Sequence, residues 1–125
     1  MAGALILIVE DNPKDSKLIR DVLRAKGYET IDADTGEAGI ELARERQPAL
    51  ILMDVMLPGM DGREAMKVLK GHPKTGHIPI IALTSFAMKG DRESLLASGF
   101  DGYIAKPIDI KQFPKLLENY LGGRS

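Results

Sequence analysis

LILIVEDNP, residues 5–13, decides the fold. The uncharged run Leu5 to Val9, rich in branched side chains, predicts a parallel strand buried on both faces. Glu10 and Asp11 end it abruptly. Asn12 then supplies a helix N-cap, and Pro13 has the fixed φ that suits a first helical position. The helix is expected to bury Leu18, Ile19, Val22 and Leu23 and to stop at Gly27. A strand that ends on charge and feeds a helix directly is the opening unit of an alternating α/β chain.

The alternation continues. Leu50 to Met53 and Ile78 to Leu83 predict two more central strands, while the less apolar Glu29 to Ala33 and Gly102 to Ala105 belong at sheet edges. Helices are expected between them: Gly36 to Gln47, a third opened by the capping-box pair Asp61 and Glu64 and closed near Gly71, and a fourth ending at Gly99. Phe113, Leu116, Leu117, Tyr120 and Leu121 recur at helical spacing in the last, whose start Pro114 leaves open. This order favours right-handed crossovers and a three-layer α/β/α sandwich around a parallel sheet.

Composition narrows the function. The 125 residues, 44% hydrophobic, suit one domain, 1–125, with its core over about 4–121. Seventeen basic and 18 acidic residues are dispersed along the chain, so no basic stripe invites nucleic acid. The lack of cysteine excludes disulfides and thiolate metal sites and suits a reducing cytoplasm. His72 and His77 fall in a polar connection and read as solvated loop residues rather than metal ligands. Ala4 to Val9 is too short to span a bilayer and lacks a basic leader, so neither membrane anchor nor signal is expected.

In parallel sheets ligands gather beyond the carboxyl ends of the strands. Glu10 and Asp11 follow the first strand and Asp54 follows the third, which would bring three carboxylates to one rim. Such charges need either a bound proton or a cation among them, and a small oxygen-seeking cation is the simpler solution. Mg²⁺ fits, since carboxylates, a backbone carbonyl near Met56 and waters would satisfy its octahedron and leave a position for a phosphoryl oxygen. Thr84 ends the fourth strand with a hydroxyl donor and Lys106 ends the fifth with an ammonium, so the two together would neutralise a phosphoryl group. Asp54, between a central strand and the Pro58-Gly59 turn, is the best-placed nucleophile. Singly, each residue has an ordinary use: loop acid, helix cap at Thr84 or Ser85, strand end at Lys106, packing for Tyr103, core or loop filler for Met53, Met56, Met60, Met66 and Met88. Their conjunction at four strand ends carries the weight.

Glu10-Asp11, the stretch DVMLPGMDG from Asp54 to Gly62, Thr84 and Lys106-Pro107 together resemble the receiver domain of two-component response regulators, over nearly the whole chain. The resemblance implies a CheY-like, flavodoxin-like sheet of order 2-1-3-4-5. It also implies Asp54 as phosphoacceptor, and Glu10, Asp11, Asp54 and the Met56 carbonyl as ligands of Mg²⁺, with Mn²⁺ as a substitute. Thr84 would be the switch hydroxyl, Lys106 the phosphoryl contact, Tyr103 the switch aromatic, and Pro107 would follow a cis bond. FAMKGDRE, Phe86 to Glu93, resembles the matching loop of DivK-type single-domain regulators and of receivers in hybrid histidine kinases. Ser85 stands where many relatives carry Ala, and Pro114 is an unusual choice in the last helix.

The implied function is that of a bacterial phosphorelay receiver, not an enzyme acting on free substrates. It would take its phosphoryl group from a histidine kinase or phosphotransfer protein and switch a protein partner through the face of the fourth helix, fifth strand and fifth helix. The rival readings are an adaptor indifferent to phosphorylation, an aspartyl-phosphate hydrolase and a flavin carrier. Met56, two residues after Asp54, replaces the second acid that a hydrolase would need, and Glu10 and Asp11 would repel a flavin phosphate.

Overall fold

The computed structural model describes residues 3–85 and 89–121. Strands and helices alternate strictly as β1 (Leu5–Val9), α1 (Pro13–Ala25), β2 (Glu29–Ala33), α2 (Gly36–Arg46), β3 (Leu50–Asp54), α3 (Gly62–Lys70), β4 (Ile80–Thr84), α4 (Lys89–Ser98), β5 (Gly102–Ala105) and α5 (Phe113–Tyr120). The strands form one parallel sheet in the order β2-β1-β3-β4-β5, with the two less apolar strands at its edges.

Because side chains alternate across a strand, each central strand feeds two cores. Leu7, Val9, Ile51, Met53, Ile80 and Ala82 face α2, α3 and α4 through Ala43, Met66, Leu69 and Leu95. Ile6, Ile8, Leu50, Leu52, Ile81 and Leu83 face α1 and α5 through Ile19, Leu23, Phe113 and Leu117. Burial of this many aliphatic side chains, each worth roughly 1.5–3 kcal/mol, is the main force holding the three layers together.

Capping sets the helix starts. Asn12 Oδ1 accepts from the N–H groups of Lys14 and Asp15, Thr35 Oγ1 from Ala38 and Asp61 Oδ1 from Glu64. Pro114 sits in the first turn of α5, where no intrahelical donor is needed, so the helix begins at Phe113 without loss. The segment Phe86 to Glu93 falls only in part within α4, and residues 86–88 lie outside the described residues.

Three expectations need correction. Leu18 is 37% exposed, not buried, because the inward stripe of α1 runs through Ser16, Ile19 and Leu23 and Leu18 lies about 100° to its side. Leu116 likewise lies on the outer flank of α5, 38% exposed. β4 starts at Ile80 rather than Ile78, since Pro79 has no N–H for a ladder and the Ile78 N–H already bonds to the Thr75 carbonyl at 3.0 Å.

The turn after β3 is packed hard against the strand it leaves. Gly62 N–H donates to the Val55 carbonyl at 3.0 Å, and a Cβ at this position would overlap the Asp54 carbonyl oxygen and lie 2.8 Å from the Val55 Cα. Gly62→Ala is therefore expected to destabilise the protein by about 3 kcal/mol, read as a lowered urea midpoint.

Candidate functional site

Parallel registers bring the strand ends to one rim. Val9 pairs with Met53, Asp54 with Leu83 and Thr84 with Ala105, so Glu10, Asp54, Thr84 and Lys106 all emerge at the carboxyl edge. Glu10, Asp54 and Thr84 are buried, while Asp11 is exposed. One oxygen from each of Glu10, Asp11 and Asp54 lies within 4.8 Å of the others.

Local hydrogen bonds orient the two buried acids. Glu10 Oε2 accepts the Asn12 N–H at 3.1 Å, and Asp54 Oδ1 accepts the Met56 N–H at 2.9 Å. Lys106 reaches in from the end of β5, its Nζ 2.5 Å from Glu10 Oε1 and 3.1 Å from Asp54 Oδ2. Its own N–H donates to the Thr84 carbonyl at 2.8 Å, which ties the ends of β4 and β5 together. The Lys106-Pro107 peptide bond is cis.

The site is electrostatically crowded. Burial, followed by the hydrogen bond shared with Asp54, pushes the Glu10 carboxyl up to about 7. Burial alone would lower the Lys106 ammonium, but the close Glu10 carboxylate and the charge of Asp54 outweigh it and hold the lysine protonated beyond its ordinary range. The buried Glu10 Oε1 has the Lys106 ammonium as its close, charge-assisted partner. An all-oxygen set of three carboxylates within 4.8 Å of one another, two of them buried, with a single ammonium to offset them, fits a hard divalent cation.

Other predicted residues surround this cluster. Met56 is 63% exposed at the mouth and, with Val55, Thr84, Arg63, Asp91 and Leu95, lines a cavity of about 150 Å³. Tyr103 lies half-buried on β5 with the Arg92 guanidinium of α4 5.6 Å from its ring centroid. Beside it, Arg92, Tyr103, Pro107, Gln112 and Leu116 border a cavity of about 440 Å³ between α4, β5 and α5. His72 and His77 stay in the connection before β4, where His72 Nδ1 accepts the Lys74 N–H at 3.1 Å.

One neighbour escaped the sequence reading. Asp15 Oδ2 lies 3.3 Å from Lys106 Nζ. Its position in the first turn of α1 marks it only as an acid favoured by the helix dipole, and nothing in the spacing reveals a contact 91 residues away along the chain.

A pH dependence follows from the raised Glu10 carboxyl. The metal-free folded state binds that proton more tightly than the unfolded chain, so its contribution is fully present below about 4.5 and is lost as pH rises through about 7. Glu10→Gln cannot ionise. In chelator, its stability relative to wild type is expected to rise between pH 5 and 8 by on the order of 1 kcal/mol after solvent screening, measured by guanidinium denaturation at each pH.

The comparisons with known proteins agree with this geometry. Residues 6–118 match the response regulator receiver domain. The chain is 48% identical over 117 residues to the polar-differentiation response regulator DivK of Brucella ovis, covering 94% of this chain and 95% of that protein. A receiver domain of a Pseudomonas aeruginosa sensor histidine kinase, solved with a magnesium ion coordinated in its active site cleft, superposes with a TM-score of 0.88 at 36% identity, covering 97% of this chain and 99% of that one. The chemotaxis protein CheY4 of Vibrio cholerae gives a TM-score of 0.88 at 26% identity, covering 95% and 99%. No helix among the described residues is long and apolar enough to cross a membrane. With sheet order, acidic rim and a match running from β1 into α5 all in accord, the chain belongs to the response regulator receiver domain family.

Proposed function

We propose that this receiver accepts a phosphoryl group on Asp54 from a histidine kinase or a histidine phosphotransfer protein, with Mg²⁺ at Glu10, Asp11 and Asp54. The observation that carries the reading is the setting of Asp54, a buried carboxylate held by the Met56 N–H on one oxygen and by Lys106 Nζ on the other. A structural acid does not need both a fixed donor and a fixed ammonium beside further carboxylates.

In the transfer, an Asp54 oxygen forms the new bond to phosphorus as the bond from phosphorus to the donor group breaks. The Met56 N–H orients the carboxylate. Lys106 offsets charge on the phosphoryl oxygens, and the Thr84 hydroxyl donates to one of them. Glu10, Asp11, Asp54 and the Met56 carbonyl would hold Mg²⁺, or Mn²⁺ in its place, which would supply the remaining positive charge.

Output follows from the position of Thr84. Drawing its hydroxyl toward the phosphoryl group empties space beneath α4, into which the Tyr103 ring turns. That movement alters the 440 Å³ cavity and its borders on α4, β5 and α5, the surface offered to a downstream protein. The chain thus acts on its own carboxylate and turns over no free substrate, in a cytoplasmic bacterial phosphorelay. An adaptor indifferent to phosphorylation would gain nothing from a buried Glu10 and Asp54, whose desolvation opposes folding.

Intact mass after incubation with acetyl phosphate tests this. Wild type should gain one phosphoryl group only when Mg²⁺ is present, and Asp54→Asn should gain none; labelling of the variant would reject Asp54 as acceptor. Lys106→Ala should slow labelling by about 100-fold, in line with the loss of one preorganised charge, and lower the melting temperature because Glu10 and Asp54 lose their counter-charge.

A further inference from the structure

Lys106 faces not two carboxylates but three. Its Nζ lies 2.5 Å from Glu10 Oε1, 3.1 Å from Asp54 Oδ2 and 3.3 Å from Asp15 Oδ2. Glu10 and Asp54 belong to the acidic cluster, whereas Asp15 stands outside it. Its side chain is more exposed than that of Lys106, 32% against 14%. Asp15 is itself held in place, since it sits in the first turn of α1 and donates its N–H to Asn12 Oδ1 at 3.3 Å.

A divalent cation in the cluster repels the neighbouring ammonium and turns toward itself carboxylate oxygens that Lys106 otherwise shares. The two cations then compete for Glu10 and Asp54. A fourth carboxylate beside the ammonium, outside the three-carboxylate cluster, removes part of that competition.

We propose that Asp15 is a positioning residue that keeps Lys106 at the rim beside Asp54 while a divalent cation occupies the carboxylate cluster. This rests on the reading that Glu10, Asp11 and Asp54 hold that cation. Asp15 touches neither the cation nor the phosphoryl group and acts through Lys106 alone. Without it, Lys106 draws more strongly on Glu10 and Asp54, and the cation must displace it.

Calorimetric titration of Mg²⁺ into the full chain tests the idea with four proteins: wild type, Asp15→Asn, Lys106→Met and the double variant. Asp15→Asn should bind Mg²⁺ roughly two- to five-fold more weakly than wild type, the range of a partly exposed ion pair, and Asp15→Glu should recover most of the loss. In the Lys106→Met background, Asp15→Asn should change nothing, because the residue through which Asp15 acts is neutral. An equal loss in both backgrounds would mean that Asp15 attracts the cation by charge alone, and the proposal falls. Wild-type affinity in Asp15→Asn, even with a lowered melting temperature, would make Asp15 an ordinary helix-start acid. Absence of Mg²⁺ binding by wild type would instead overturn the reading of the cluster itself, and this inference with it.

Discussion

The ammonium of Lys106 reaches from the end of an edge strand across β4 to carboxylates at the ends of β1 and β3, and the polar half of the molecule is organised around that reach. Glu10 and Asp54 are removed from water, and a buried carboxylate without a counter-charge would oppose folding by several kcal/mol. Lysine suits the task because its compact charge rides on a flexible four-carbon stem and meets several carboxylates at once without the planar fork of arginine. The result is a site that is folded yet under-neutralised, with more acid than base at its centre.

That imbalance has a structural price confined to one rim. Below it, the three central strands are apolar, with β1, β3 and β4 buried along nearly their whole length. The rigid layers hold Asp54 in place from behind, while Gly62 lets the start of α3 press against its carbonyl. Thr84 and Tyr103 stand on neighbouring strands, with Tyr103 paired to Ala82 and Thr84 to Ala105, two residues apart in register. Arg92, stacked over the Tyr103 ring, extends that connection to α4.

Much of this was legible in the residues alone, and the failures have physical reasons. The limits of β1, β2 and β5 were read correctly because charge or turn residues bound them closely. Ile78 misled because hydrophobicity does not report whether a backbone N–H is available, and Pro79 removes one. Leu18 and Leu116 misled because an apolar residue flanking the inward stripe satisfies a helical pattern without reaching the core. The acidic cluster was foreseen through the strand-end rule, which converts chain position into spatial position for any residue that immediately follows a strand.

Asp15 marks where that conversion stops. A residue one turn into a helix has its location set by the helix axis, its cap and the packing of Ile19 and Leu23, none of which is a local property of the sequence. The sequence by itself determined the alternation of elements, the composition of the core and the identity of the residues at the rim, because hydrophobic periodicity and strand termini are local. Tertiary structure alone decided which carboxylates share Lys106, how far Glu10 is driven toward its protonated form, and which face of α5 meets β5, because burial, charge proximity and register arise only when distant segments pack together.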